Sequence, residues 1–130
     1  MFINTTPEDE ANGEVGQMYA DIKASMGHVP NFVKAFSHRP EVLAAWEGAL
    51  TAIRDNMDFR RYEIATVGAA RGITSSYCML AHGSALMREE MTADELEALA
   101  RDGGGVSDEE RAIFFFAGKV SRDATSVTQD

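Results

Sequence analysis

The only cysteine of the chain lies between two residues that can activate a thiol. Cys78 follows Ser75 by three residues and precedes His82 by four. Residues four apart lie on one face of an α-helix, with Cβ atoms about 5–6 Å apart, so the thiol and the imidazole can meet if this segment is helical. The spacing therefore predicts a thiol with a proton acceptor one turn away.

Ser75 is the type of residue that caps a helix. Its hydroxyl can accept a hydrogen bond from the backbone N–H of Tyr77 or Cys78, which places Cys78 in the first turn. The free N–H groups and the helix dipole favour an anion there, and the thiolate is the reactive form of cysteine. We expect Cys78 to be an activated nucleophile. Ser75 is then either a cap alone or a cap that also serves the site, and Tyr77 either lines the pocket or packs.

A carboxylate for the imidazole is available in the preceding segment, RRYEIATVGAARG, at residues 60–72. Glu63 lies there in a mostly apolar stretch, where an inward-facing carboxylate needs a partner. A short turn at residues 72–75 would make two antiparallel helices and bring Glu63 beside His82. We therefore predict a relay in which Glu63 orients His82 and His82 takes the proton of Cys78.

Simpler interpretations of the same residues remain open. A lone cysteine on a helix is often a packing residue, and Glu63 could be an exposed helix charge. A metal site would have Cys78 and His82 as ligands, with Glu63 as a third, which falls short of the common structural zinc patterns. We expect neither a metal nor a cofactor.

The helices that would position these residues are visible in the spacing of apolar residues. The spacing is helical along nearly the whole chain and strand-like alternation is absent, so we predict an all-α bundle of about six helices. The first stripe is Val15, Met18, Tyr19, Ile22 and Met26. Gly27 ends this helix and Pro40 begins the second. The second stripe is Leu43, Trp46, Leu50 and Ile53.

The third and fourth predicted helices carry the candidate site. Asp58 caps the third helix, which runs to Gly72, and residues 74–76 begin the fourth, which carries Cys78 and His82. Glu63 therefore lies on one predicted helix and the thiol and imidazole lie on the next.

Two capping boxes begin the last two predicted helices: Thr92-x-x-Glu95 and Ser107-x-x-Glu110. The expected inward face of the last helix is Ile113, Phe116, Ala117 and Val120. Phe114 and Phe115 add apolar surface off that face. A helix that is apolar on more than one side is usually buried between neighbours or at a subunit contact, and we favour the subunit contact.

Composition restricts the possible partners and location. The net charge is −9, from 12 basic and 21 acidic residues, which argues against nucleic acid or an anionic membrane as a partner. No apolar run approaches the roughly 18 residues that span a bilayer, and the N-terminal MFINTTPEDE lacks the regions of a signal peptide. One cysteine forms no internal disulfide. We expect a single cytoplasmic domain over residues 1–130.

These residues and their flanking segments resemble the carboxymuconolactone decarboxylase and alkylhydroperoxidase D superfamily, and most closely its peroxidase-related branch. The pattern E-x11-[C/S]-x-x-C-x3-H runs from Glu63 through Ser75 and Cys78 to His82. The similar flanking segments are GEVGQMYADIK, GHVPNF, HRPEVLAAWEGAL, MTADELEALARD and SDEERAI. The resemblance covers the chain from about residue 13 to its C-terminus.

The resemblance implies an alkylhydroperoxidase D-like helical bundle that assembles as a homo-oligomer, a trimer or a hexamer. It also implies a redox C-x-x-C pair that reduces hydroperoxides or links to a disulfide partner. Cys78 matches the second cysteine, His82 the histidine and Glu63 the relay glutamate, while Ser75 stands at the first cysteine. Because serine cannot close a disulfide, the expected reaction uses one cysteine. A small hydroperoxide oxidises Cys78 to a sulfenic acid, and an external thiol reduces it.

Two other functions are compatible with the same residues. A lactone decarboxylase or isomerase would use His82 and Glu63 as acid and base without a thiol. A non-catalytic helical oligomer with a decayed site is favoured by the missing first cysteine and the short length. Chains of this type usually continue with another helix, and Asp130 resembles the N-cap of such a helix. We therefore expect the chain to be either natural and short or a fragment.

Overall fold

The computed structural model describes residues 3–89 and 91–128, and this part of the chain contains α-helices and no strand. The helices are α1 (Gly13–Met26), α2 (Asn31–Ala35), α3 (Pro40–Arg54), α4 (Phe59–Gly72), α5 (Ser76–Glu89), α6 (Ala93–Asp102) and α7 (Asp108–Asp123). The all-α prediction is confirmed, and a helical count of about six becomes seven because of the short α2. Asp130, the expected cap of a further helix, lies outside the described residues.

The chain divides into two compact units, Met1–Asp55 and Asn56–Asp130. The first contains α1 to α3 and the second contains α4 to α7. All candidate site residues belong to the second unit. The single domain over residues 1–130 stays a prediction.

The first unit is built around four buried side chains: Tyr19, Val29, Val33 and Leu43. Thr6, in the segment before α1, forms hydrogen bonds with residues of this unit. The Tyr19 hydroxyl donates to the Thr6 carbonyl at 2.9 Å, and the Thr6 N–H donates to the Ser37 hydroxyl at 3.1 Å.

The predicted apolar stripes of this unit are only partly buried. Met26 and Ile53 are about half exposed, so both lie outside the core. Trp46 is 45% exposed and lies outside the core, where it contacts the rings of Phe32 and Phe36 at centroid distances of 6.2 and 6.3 Å. Of the predicted stripe on α3, only Leu43 is fully buried.

The second unit is organised by a close contact between α4 and α7. A Cβ atom added to Gly68 would lie 2.3 Å from the Phe114 carbonyl oxygen, and one added to Gly72 would lie 2.3 Å from the Gly118 carbonyl oxygen. The two pairs share the same sequence offset, so the helices run in the same direction. Only glycine lets the two backbones approach this closely.

The close approach explains why the expected inward face of α7 is only partly correct, since Ile113 packs against the core of the second unit and Phe116 does not. Phe114, which we expected off that face, is 1% exposed, whereas Phe116, which we expected inside, is 59% exposed. Phe114 is buried because its backbone rests on Gly68, which turns its side chain into the core of the second unit. The buried members of that core are Ile64, Val67, Leu86, Met91, Leu99 and Phe114.

The boundaries of the helices in the second unit follow the sequence signals. Asp58 Oδ1 accepts a hydrogen bond from the Arg61 N–H at 2.9 Å, and α4 ends at Gly72. Both predicted capping boxes are present, at the starts of α6 and α7. Between α4 and α5, Thr74 adopts φ = 56°, the only non-glycine residue of the described chain with a left-handed backbone.

No helix within the described residues is long and apolar enough to cross a membrane. Partners and location stay predictions.

Candidate active site

Glu63 and His82 form a hydrogen-bonded pair across α4 and α5. The imidazole Nδ1 lies 2.7 Å from Glu63 Oε2. The Glu63 side chain is 8% exposed and the His82 side chain is 31% exposed. The pair forms because α5 returns along α4 after a short turn, in which the Ser75 N–H donates to the Ala70 carbonyl at 2.9 Å. The buried carboxylate therefore has the partner that its apolar surroundings require.

The second nitrogen of the imidazole, Nε2, is accessible and has no hydrogen-bond partner within the described residues. Within the described residues, every fully buried side-chain nitrogen and oxygen has a hydrogen-bond partner, and His82 Nε2 forms no hydrogen bond, so it is accessible. An ionised Glu63 requires the proton on Nδ1, which leaves the lone pair of the neutral imidazole on Nε2. His82 thus presents a proton acceptor to the outside while Glu63 fixes the orientation of the ring.

Cys78 lies in the first turn of α5, on the helix that carries His82. The Ser75 hydroxyl accepts a hydrogen bond from the Cys78 N–H at 3.3 Å, which gives Ser75 the geometry of a helix cap. The thiol is free and half-buried. No hydrogen bond joins the Cys78 sulfur to His82 in the part of the chain that the structure describes. The structure therefore brings Glu63 and His82 together and places the thiol one turn before the imidazole without a direct bond.

The predicted pocket role of Tyr77 stays a prediction. Tyr77 is 53% exposed. An apolar groove of about 260 Å³ lies next to this part of α5. Met79 and Leu80, the two residues after Cys78, line it together with residues of α4 and α6. Neither Tyr77 nor Cys78 lines this groove, so it is a neighbour of the thiol rather than its pocket.

The donor atoms around Cys78 do not form a metal site. Among the described residues, no group of three or more His, Cys, Asp or Glu side chains is arranged to hold a metal ion. Glu63 and His82 use one another as partners, which leaves the thiol as a free group.

The sequence patterns do not indicate a second concave region, which the structure contains. It lies where α4 and α7 cross and is lined by Arg71, Lys119 and Arg122, among others. The small residues that form it, Gly68-x3-Gly72 and Gly118, are visible in the sequence as a pattern of close packing. Their partners on the other helix are not visible, because the pairing of α4 with α7 depends on the tertiary fold.

Comparison of the chain with family models, curated proteins and solved structures finds no match. The fold and the site together define an all-α protein with a buried carboxylate–imidazole pair and a half-buried thiol on one helical hairpin. Its membership of the alkylhydroperoxidase D-like superfamily stays a prediction.

Proposed function

We propose that this protein is an alkylhydroperoxidase D-like oxidoreductase that reduces small hydroperoxides with a single cysteine. The observation that supports this function best is the 2.7 Å hydrogen bond between Glu63 and His82, on the hairpin whose second helix begins with Cys78. Enzymes activate thiols with an imidazole base that a third group orients, and here Glu63 orients an imidazole one helical turn from the thiol.

In the proposed first step, His82 takes the thiol proton through Nε2, and Glu63 stabilises the resulting imidazolium. The Cys78 sulfur attacks the terminal oxygen of the hydroperoxide. An S–O bond forms as the O–O bond breaks, so that the sulfur is oxidised to a sulfenic acid and the peroxide is reduced to an alcohol. The leaving alkoxide takes the proton from His82.

The second half of the cycle needs a thiol from outside the chain, because Cys78 is the only cysteine. One external thiol attacks the sulfenic acid, releases water and forms a mixed disulfide. A second external thiol attacks that disulfide and regenerates Cys78, with a small-molecule disulfide as the other product. Ser75 supports the helix start but cannot replace the resolving cysteine.

A second candidate function is acid–base chemistry on a carboxylated lactone. It is favoured by one observation: the Glu63–His82 pair is complete without the thiol, and no hydrogen bond within the described residues ties the pair to Cys78. In this reaction His82 and Glu63 would move protons at the substrate while Cys78 has no chemical role.

The proposal includes a homo-oligomer, a trimer or a hexamer, in the cytoplasm. Large apolar side chains on the surface of the second unit support an association of copies: Leu80 is 72% exposed and Phe116 is 59% exposed. Surfaces of this kind often mark contacts between proteins.

The test measures the consumption of tert-butyl hydroperoxide with several thiol reductants. Cys78→Ser should abolish thiol-dependent turnover, and Ser75→Cys should raise it, because a thiol three residues before Cys78 can resolve the sulfenic acid. Ser76→Cys is the matched control, since it adds a thiol at the adjacent exposed position without the required spacing.

The outcomes separate the candidate functions. Failure of the wild-type protein to consume hydroperoxide with every reductant refutes the peroxidase proposal. Turnover of a carboxylated lactone that Cys78→Ala leaves intact supports the acid–base function instead. Absence of both reactions supports the non-catalytic oligomer.

A further inference from the structure

A basic cleft that Cys78 does not line lies between α4 and α7. Its volume is about 580 Å³, within the roughly 300–1,000 Å³ typical of small-molecule sites. Gly72 and Gly118, whose backbones are in close contact where the two helices cross, are among the residues that line it. Three cationic side chains line it, and no acidic residue does. This local surplus of positive charge contrasts with the net charge of −9.

The three cations have most of their hydrogen-bonding capacity free. Arg71 donates one N–H to the Arg101 carbonyl at 3.0 Å, and its guanidinium lies 5.7 Å from the centre of the Phe114 ring. An arginine has five N–H donors, so this anchoring leaves others for a ligand. Lys119 and Arg122 form no salt bridge or side-chain hydrogen bond within the described residues.

The acidic neighbour of these cations, Asp123, interacts electrostatically with Arg122 but is not among the residues that line the cleft. Asp123, which follows Arg122, accepts a hydrogen bond from the Thr125 hydroxyl at 2.6 Å and does not line the cleft. A nearby carboxylate therefore does not occupy the position of an anionic ligand.

The C-terminal end of α4 does not oppose an anion in the cleft as strongly as a free helix end would. Unpaired carbonyls at a helix C-terminus repel negative charge. Here the last carbonyls of α4 accept hydrogen bonds from the backbone of the following turn. The Ile73, Thr74 and Ser75 N–H groups donate to Ala69, Arg71 and Ala70, at 3.2, 3.1 and 2.9 Å.

One wall of the cleft is aromatic. Phe115 lines it and is 45% exposed, so one part of its ring surface is available to an apolar group. Cations with free donors select an anionic headgroup, and an exposed ring beside them favours an apolar body on the same molecule.

We propose that the cleft between α4 and α7 binds a small organic anion, with a carboxylate or phosphate group held by Arg71, Lys119 and Arg122 and an apolar body against Phe115. Cys78 does not line this site, and the proposal does not depend on the proposed peroxidase function. The lining residues belong to α4, α7 and the turn that contains Thr74.

The test titrates the isotope-labelled chain of residues 1–130 with benzoate, phenyl phosphate and uncharged benzamide. Binding is followed by the amide chemical shifts in nuclear magnetic resonance spectra. The two anions distinguish a carboxylate from a phosphate ligand. Saturable shifts should concentrate at residues 71–74 and 115–122, and at least one anion should bind more tightly than benzamide.

Lys119→Gln and Arg122→Gln remove one charge each from exposed positions, where the helix should persist. Each should weaken anion binding by roughly tenfold, the effect of one lost hydrogen bond to a charged group. Arg88→Gln is the matched control, since it removes an exposed positive charge outside the cleft and should leave the affinity unchanged.

Three results would overturn the proposal. They are the absence of saturable shifts with both anions, equal binding of benzamide and the anions, and an equal loss of affinity in Arg88→Gln and the cleft variants. The last result would mean that the anions respond only to the overall charge of the protein.

Discussion

Replacement of Gly68 by alanine tests the close packing of α4 against α7. The added Cβ would lie 2.3 Å from the Phe114 carbonyl oxygen and 3.0 Å from the Phe114 carbonyl carbon and Cα. All three atoms belong to the backbone of a helix, so no side-chain rotation can relieve the overlap. A normal carbon–oxygen contact needs about 1 Å more, so α4 and α7 must move apart.

The expected loss of stability follows from two opposing effects. Overpacking a rigid contact costs about 1–3 kcal/mol, and the backbone contact here places the cost at the upper end of that range. Alanine gains about 1 kcal/mol over glycine in helix propensity. The unfolding free energy should therefore fall by about 2 kcal/mol, a large fraction of the roughly 5–15 kcal/mol that stabilises a typical domain.

Gly48→Ala is the matched control for this substitution. Gly48 lies in the interior of α3, and a Cβ added there meets no atom within 4 Å. Only the propensity gain remains, so this variant should be more stable by up to about 1 kcal/mol. Urea unfolding followed by circular dichroism measures both. If Gly68→Ala were as stable as Gly48→Ala, the close contact between α4 and α7 would be refuted.

Three further predictions concern α7. Phe114→Ala should lower the unfolding free energy by about 3–5 kcal/mol, whereas Phe116→Ala should change it by less than about 1 kcal/mol, and equal losses in urea unfolding would contradict the assignment of the buried face. Ser107→Ala should cost about 1 kcal/mol in the same assay because it removes a helix cap, and an unchanged midpoint would contradict this role. Burial raises the pKa of the Glu110 carboxyl, but hydrogen bonds from Arg60 and Ser107 outweigh this effect and hold the pKa below the usual 4.5. The resulting stability is present above pH 4.5 and is lost as the pH falls through the lowered pKa, so Glu110→Gln should flatten the acid side of the stability profile.

The helix boundaries around the site could be predicted because their signals are local. Asp58 and the two capping boxes satisfy backbone N–H groups within three residues, so neighbouring residues alone determine where the helices begin. The turn between α4 and α5 is short, which restricts α5 to an antiparallel course along α4. Local signals and one short turn were therefore enough to place Glu63 beside His82.

The buried face of α7 could be predicted only in part, at Ile113, because its rotation depends on a partner that is distant in sequence. Apolar periodicity favoured Phe116, whereas the contact of Gly68 with the Phe114 backbone sets the rotation of the helix. The basic cleft follows from the same contact, since Arg71 and Lys119 come together only when α4 and α7 cross. The sequence also could not predict whether the thiol forms a hydrogen bond with the imidazole, because helical spacing fixes a shared face but not the side-chain rotamers.

The buried position of Glu63 has a consequence for how the hairpin assembles. If α5 slid along α4 by one turn, apolar side chains could still meet apolar side chains, but the carboxylate would remain enclosed without the imidazole. A buried charge that loses its partner is strongly unfavourable. The Glu63–His82 pair therefore makes shifted pairings of α4 and α5 less stable than the observed one, whatever reaction the protein catalyses.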